Sequence, residues 1–259
     1  MLKIYMMFKA QYLKTAFAYT ANFWMMFIAG VVGRTLTMAI PYVIMRNVPS
    51  IAGWQEAEVY VIMSLIFISE GCSNLFYDGI WELPGLVFNG EFDVMLARPV
   101  SPLYQVIARG FGLQGTGGIL VGFAGLILSM HSLGWLTPAK ILACLVLIVG
   151  GAVLRLSSIL TTASVTFYLN IGSGSGLMFA ANNVGEYAQY PVDIYPGWLK
   201  IILLTILPYG FIGYVPALIL RQDTIGLLFL GAVAFIVVFF LLARGLFYLS
   251  IRKYESMGM

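Results

Sequence analysis

Charge is what this chain has least of. Only 10% of its 259 residues are Asp, Glu, Lys or Arg, and 61% are hydrophobic, whereas an ordinary soluble domain carries about 25% charged residues. That balance excludes a water-soluble globule and makes the chain an integral membrane protein. Histidine occurs once, as His131, and cysteine twice, as Cys72 and Cys144, both within apolar segments. One His and two separated thiols cannot build an ordinary zinc site, and thiols in such surroundings serve as small hydrophobes. The net charge of +3 comes from scattered residues, so no nucleic acid partner is indicated. No G-x-x-x-x-G-K-S/T phosphate loop occurs. The run Gly172-Ser173-Gly174-Ser175-Gly176 has neither a following Lys nor a G-x-S-x-G nucleophile pattern, and it reads as a turn or a close-packing helix face. Without a convergent acid–base or nucleophile cluster, the chain is not expected to be an enzyme or to bind a cofactor itself.

What is present is a series of apolar runs of bilayer length, about 20 residues or more each. They cover Thr20–Met45 and residues 59–80, 104–130, 139–167 and 224–249. Between the last two lies a less regular stretch. Residues 176–190 are only weakly apolar and hold Asn182, Asn183 and Glu186, while residues 198–220 are apolar but cut by Pro208, Gly210, Gly213 and Pro216. Broken backbone at membrane depth is tolerated only where protein or water covers it. The expectation is therefore a fifth span over 174–190, a partly re-entrant hairpin over 195–220 within an outer segment 191–223, and then the sixth span. Simple hydropathy would instead make 198–220 the fifth span. Residues 1–18 read as an interfacial helix, with Met1, Ile4, Tyr5, Phe8 and Tyr12 on one side, Lys3, Gln11 and Lys14 on another, and Lys9 off that stripe. The alternative is that they extend the first span. They lack a clean apolar stretch with a cleavage site after it, so no cleavable signal peptide is expected. Trp24, Trp54, Trp81, Trp135 and Trp198 mostly fall near span ends, as an interfacial belt does.

An even count puts both termini on one side, and Lys3, Lys9, Lys14, Arg252 and Lys253 argue that it is the cytoplasm. Arg46, Lys140, Lys200 and Arg221 then fall outside. The loop over 81–103 is cytoplasmic as well. It interleaves Glu82, Glu91, Asp93 and Arg98 with Leu86, Val87, Phe88, Phe92, Met95 and Leu96, the composition of an amphipathic element that docks on a soluble partner rather than of a tether. Pro99 and Pro102 fix φ and end its helix before the third span. Charges within spans are costly and informative. Arg34 lies about 18 Å from the outer end of span one and Glu70 at a similar depth in span two, counting roughly 1.5 Å per residue. They are candidate partners, either as a neutralised structural pair or as cavity residues that move in transport. Asp78 and Arg109 form a second candidate pair near the cytoplasmic entrance. Arg155 has no obvious mate besides Glu186, so it is expected to face a wet cavity or a partner subunit.

The run Gly90-Glu91-Phe92-Asp93-Val94-Met95-Leu96-Ala97-Arg98-Pro99-Val100-Ser101-Pro102-Leu103, between a second and a third span, resembles the cytoplasmic loop of permeases in the ABC-2 type exporter superfamily. It is most similar to a branch of bacterial permeases whose loops carry G-x-x-D-x-x-L-x-R-P. Tyr190-Pro191-Val192-Asp193-Ile194-Tyr195-Pro196, Leu207-Pro208 and Tyr214-Val215-Pro216-Ala217 resemble that branch's segment ahead of its last helix. The resemblance covers nearly the whole chain. It implies an all-α half-transporter in the bacterial cytoplasmic membrane: six transmembrane helices, an N-terminal surface helix, a coupling helix in the loop after span two, and a hairpin near the outer face. It also implies pairing with a second permease subunit, the same chain or a homologue, and two ABC ATPase subunits below that use ATP and Mg. An ATP-independent secondary transporter or channel is the alternative, although no convincing internal repeat relates the two halves. A cavity walled by Phe, Met, Tyr and Leu suits amphipathic cargo, but the same residues face lipid in any membrane protein.

Overall fold

A computed structural model describes residues 2–169, 174–222 and 224–254. In chain order the α-helices are α1 (Leu2–Ala18), α2 (Thr20–Met45), α3 (Glu56–Tyr77), α4 (Leu83–Phe88), α5 (Glu91–Leu96), α6 (Pro102–Ala108), α7 (Gln114–Ser132), α8 (Pro138–Ser164), α9 (Thr166–Leu169), α10 (Gly174–Glu186), α11 (Gly197–Ile201), α12 (Tyr214–Arg221) and α13 (Leu227–Ile251). Among the described residues there is no strand, and α2, α3, α7, α8 and α13 are each long and apolar enough to cross a membrane. The chain is an all-α, multi-pass membrane protein.

Local chemistry sets the boundaries. Gln55 and Glu58 form a reciprocal capping box at the start of α3, which satisfies amide groups that the first turn leaves free. Pro138 opens α8 behind Thr137, whose hydroxyl accepts from the Lys140 amide. Within the loop after α3, Gly90 holds φ at +72° between α4 and α5, a conformation that costs little only for glycine. The chain leaves helical conformation beyond Leu96, just ahead of Pro99, and Pro102 starts α6.

The third span differs from the expectation over 104–130. It breaks at residues 109–113 into α6 and α7 around Gly110, which has φ +72°. The elbow wraps Gly79, where a Cβ would lie 2.2 Å from the Val106 carbonyl oxygen and 2.4 Å from that of Arg109. Above the elbow, α3 and α7 touch backbone to backbone. A Cβ at Gly71 would stand 2.6 Å from the Gly115 oxygen, and one at Gly115 would stand 2.7 Å from the Gly71 oxygen. Small residues permit this approach in membranes.

Contacts at the two ends of the bundle trace the path of the irregular region. At one end Phe92 packs with Phe167 at 5.2 Å and Tyr254 at 5.4 Å, and Tyr5 packs with Tyr104 at 6.0 Å. At the other end the Trp54 indole donates to Asp193 Oδ2 at 3.0 Å, while Arg221 pairs with Glu58 at 3.2 Å and donates to the Gly53 carbonyl. The chain therefore passes from the Phe92 end at Phe167 to the Trp54 end at Asp193, and α10 with its 3-10 extension Tyr187–Gln189 makes that passage. The next segment starts and finishes at the Trp54 end. It consists of Gly197–Ile206 and Tyr209–Arg221, bent by 70° at Leu207–Pro208, where proline removes a backbone donor. The residues just ahead of the first limb and at the end of the second both lie beside residues 53–58, so the pair enters and leaves at one end of the bundle and is bent, not a straight helix. Its return limb lies on α3, since a Cβ at Gly213 would come 2.7 Å from the Ile62 oxygen.

α1 folds back onto the elbow through Tyr5, from the side the helical wheel groups together, and through Lys9 beside it. The Lys9 ammonium is buried and donates to the Gly110 carbonyl at 2.8 Å, and the Tyr5 hydroxyl donates to the Phe76 carbonyl at 2.8 Å. Burial holds Lys9 down at about 8, with the Asp78 carboxylate acting the other way. Met6, Met7 and Leu13 are the exposed apolar side chains; Lys3, Phe8 and Tyr12 have side chains outside the described set. Of the tryptophans, Trp24 and Trp198 are exposed, whereas Trp54 and Trp135, in the turns that follow α2 and α7, are buried.

Candidate functional site

Four helices deliver a charge cluster to mid-depth of the bundle. Arg34 of α2 places Nη2 2.6 Å from Glu70 Oε2 on α3. Arg155 of α8 places Nη2 3.0 Å from Glu70 Oε1 and 2.8 Å from Asn182 Oδ1 on α10. Glu186, one turn further along α10, lies 3.8 Å from Arg34 Nη1 and accepts a hydrogen bond from Gln189. One carboxylate thus bridges two guanidiniums, and burial makes each of these contacts stronger than it would be in water. Phe67 backs the Arg34 guanidinium, 4.7 Å from its ring centroid. Tyr209, at the bend of the hairpin, is buried against Gly185, where a Cβ would meet its ring at 3.1 Å. Its hydroxyl and Arg155 Nε have no hydrogen-bond partner among the described residues.

The expected Arg34–Glu70 pair is present. Arg155 does not lack a mate: it meets Glu70 and Asn182, while Glu186 turns to Arg34. The Asp78–Arg109 pairing is not what forms. Arg109 reaches Glu82 at 3.0 Å and Glu91 at 3.5 Å, because the elbow at Gly110 turns it toward the loop, and Asp78 faces Lys9 instead. Sequence reasoning missed Asn182, Gln189 and Tyr209 as members of the cluster. The one available signal was the weak hydropathy of residues 176–190, polar groups in a segment that has to sit in a membrane.

Beside the cluster, between α2, α3 and α7, is a cavity of about 710 Å³ lined by Met26, Arg34, Phe67, Glu70, Asn74 and Gln114, among others. The second feature is the loop at the Phe92 end. Leu83, Leu86, Phe92 and Met95 are buried in an aromatic-rich core with Phe167 and Phe247. The apolar side that the sequence offered for docking is therefore partly used within the chain. What remains outside is Phe88, Val94, Leu96, Arg98 and Pro99. Asp93 points inward to Tyr254, whose phenol is pushed up to about 12, by burial first and then by that carboxylate. Arg98 has no ion pair among the described residues. A groove of about 400 Å³ runs between Trp81, Glu82, Pro84, Glu91 and Arg109.

Long apolar helices thus surround a buried charge cluster and a lateral cavity, with a polar loop packed on the core at one end. A family model described as ABC-2 family transporter protein matches residues 31–258, and the chain belongs to that family. Comparison with the curated proteins finds no match.

Proposed function

We propose that this chain is the permease half of an ATP-driven exporter, moved by separate ABC ATPase subunits that bind ATP and Mg. The observation that carries this reading is the loop over 81–103: one side is locked into the core by Phe92 and Met95, and the other presents Phe88, Val94, Leu96 and Arg98 outward. A push on such an element reaches the ends of α3, α8 and α13 through a packed core instead of being lost in a flexible tether. Glu82 and Glu91 clamp Arg109 and so tie the loop to the elbow of α6 and α7; Pro99 and Pro102 hold the loop helix apart from α6. In this reading α10 is the fifth of six crossings and the bent hairpin closes the outer end. Both termini and the loop are cytoplasmic, and a second permease subunit completes the translocation path along Arg34, Glu70, Arg155 and Glu186. Affinity purification of the tagged chain from its own membrane, with mass spectrometry of what accompanies it, should return an ABC ATPase. A chain that purifies without one, yet still transports, is an ATP-independent carrier.

The topology has its own test. In a variant lacking Cys72 and Cys144, cysteines introduced at Ser50 and Asp193 should react with an impermeant thiol reagent outside intact cells, and one at Asn89 should not. Labelling of Asn89 with protection of Ser50 inverts the orientation, and protection of Asp193 alone favours a fifth span over 198–220.

A further inference from the structure

We propose that the cavity beside Arg34 takes the anionic head of an amphipathic cargo, and that Glu186 is the internal carboxylate the cargo displaces. This rests on the exporter reading, since it names what the translocation path accepts. Glu70 has nothing to offer a cationic ligand: it is buried, with one oxygen on Arg34 at 2.6 Å and the other on Arg155 at 3.0 Å. Arg34 is the opposite case. Its side chain keeps 23% exposure on the cavity wall, and its second terminal nitrogen stands 3.8 Å from Glu186, too far for a hydrogen bond. A guanidinium carries five N–H donors in a fixed planar fork suited to carboxylate or phosphate, and Phe67 holds that plane in place.

The surroundings agree in chemistry. Arg155 Nε, a donor, and the Tyr209 hydroxyl beside the cluster have no hydrogen-bond partner among the described residues, and Glu70 Oε2 has only its ion pair with Arg34. Besides Arg34 and Glu70 the polar liners, Thr37, Asn74 and Gln114, are neutral, and Met26 and Phe67 provide apolar wall for a hydrocarbon portion. Glu186 can be released at low cost, because its side chain is 42% exposed and Gln189 still donates to it. A carboxylate or phosphate entering from the cavity would take the Arg34 donors that Glu186 faces from too far away, leaving the Arg34–Glu70 and Arg155–Glu70 contacts intact.

The test uses the whole protein in phosphatidylcholine nanodiscs, titrated with dansyl-labelled lauric acid and with the corresponding amide and amine. The acid should bind about tenfold or more tightly than either analogue, the scale of one charge-assisted hydrogen bond. Arg34→Gln should abolish the preference, and Glu186→Gln should tighten the acid alone by removing its competitor. Gly33→Leu should weaken all three probes, since Gly33 lines the cavity and a Cβ there meets nothing within 4 Å. If Arg34→Gln is not recovered folded, the Glu186 and Gly33 variants decide. Amine or amide binding as tight as the acid overturns the proposal, as does acid binding unchanged in both of those variants. Phosphatidylglycerol added to the discs should compete if the anion is a bilayer lipid; lack of competition assigns the site to an unesterified amphiphile. An ATPase partner together with an indifferent titration sinks the anion site alone, and an acid-selective titration without any ATPase sinks the exporter reading alone.

Discussion

Glu70→Ala should be the most damaging single substitution in the membrane core. It leaves two guanidiniums, Arg34 and Arg155, without the carboxylate that bridges them, and breaking a buried pair from one side costs roughly 3–5 kcal/mol. Arg34→Ala should cost less, because Glu70 then keeps Arg155 and Arg155 keeps Asn182. Removing Arg34 and Glu70 together should recover only part of the loss, since Arg155 remains charged. Adding Arg155→Leu to that double variant should recover more, because a buried ionic set is often replaced by apolar residues without penalty. Fluorescence-detected size exclusion after graded heating ranks the four variants. Additive losses, or a Glu70→Ala variant as stable as the parent, would show that the cluster is not one unit.

Gly79→Ala should rival that effect from the other side of physics, by steric overlap. The added methyl would sit 2.2 Å and 2.4 Å from two carbonyl oxygens of the elbow, both backbone atoms that no side-chain rotation can move. Overpacking costs about 1–3 kcal/mol even where side chains can shift, so the expected loss is at or above the upper end of that range. Gly33→Ala is the control, a glycine one helix away with open space around its Cβ position, and it should be tolerated. The same heating assay reads both. An unstable Gly33→Ala beside a stable Gly79→Ala would contradict the elbow packing.

Much of this was legible from residue pattern, and the failures share a cause. Thr20–Met45 is the first long helix to the residue, because an apolar run between Tyr19 and polar Arg46 leaves little choice. Arg34 and Glu70 could be paired by counting along antiparallel neighbours, which needs only the helical rise. Arg155 could not be placed, because its partners arrive from α3 and α10, helices far apart in sequence and at angles that hydropathy does not encode. Asp78 and Arg109 were matched by depth, but Gly110 turns the chain between them and sends Arg109 to Glu82 and Glu91. The loop over 81–103 announced an amphipathic element, yet composition could not divide its apolar residues between this chain's own core and a partner. Phe92 and Met95 went inward, and Val94 and Leu96 stayed out. The Gly172-Ser173 part of the glycine-serine run lies outside the described residues.

In the proposed coupling, Arg98, exposed on the loop, would meet the partner, and Asp93, whose carboxylate acts on the Tyr254 phenol, would position the loop. Reversing Arg98 to Glu should weaken assembly by about 2–5 kcal/mol if docking buries it against a carboxylate, and by much less if it stays at the rim. Asp93→Lys should leave assembly closer to normal but loosen the C-terminal contact and uncouple hydrolysis from export. Pro99→Ala with Pro102→Ala should preserve binding and degrade transmission, because the loop helix could then run on into α6.

The central claim is that an ATPase drives this chain through that loop. The measurement that tests it most directly is ATP hydrolysis and export by the copurified complex carrying Arg98→Glu, at matched membrane expression. The account predicts reduced co-elution of the ATPase and a matching fall in export, with the permease still inserted and folded. Wild-type co-elution, hydrolysis and export in that variant, and in Asp93→Lys beside it, would contradict the account.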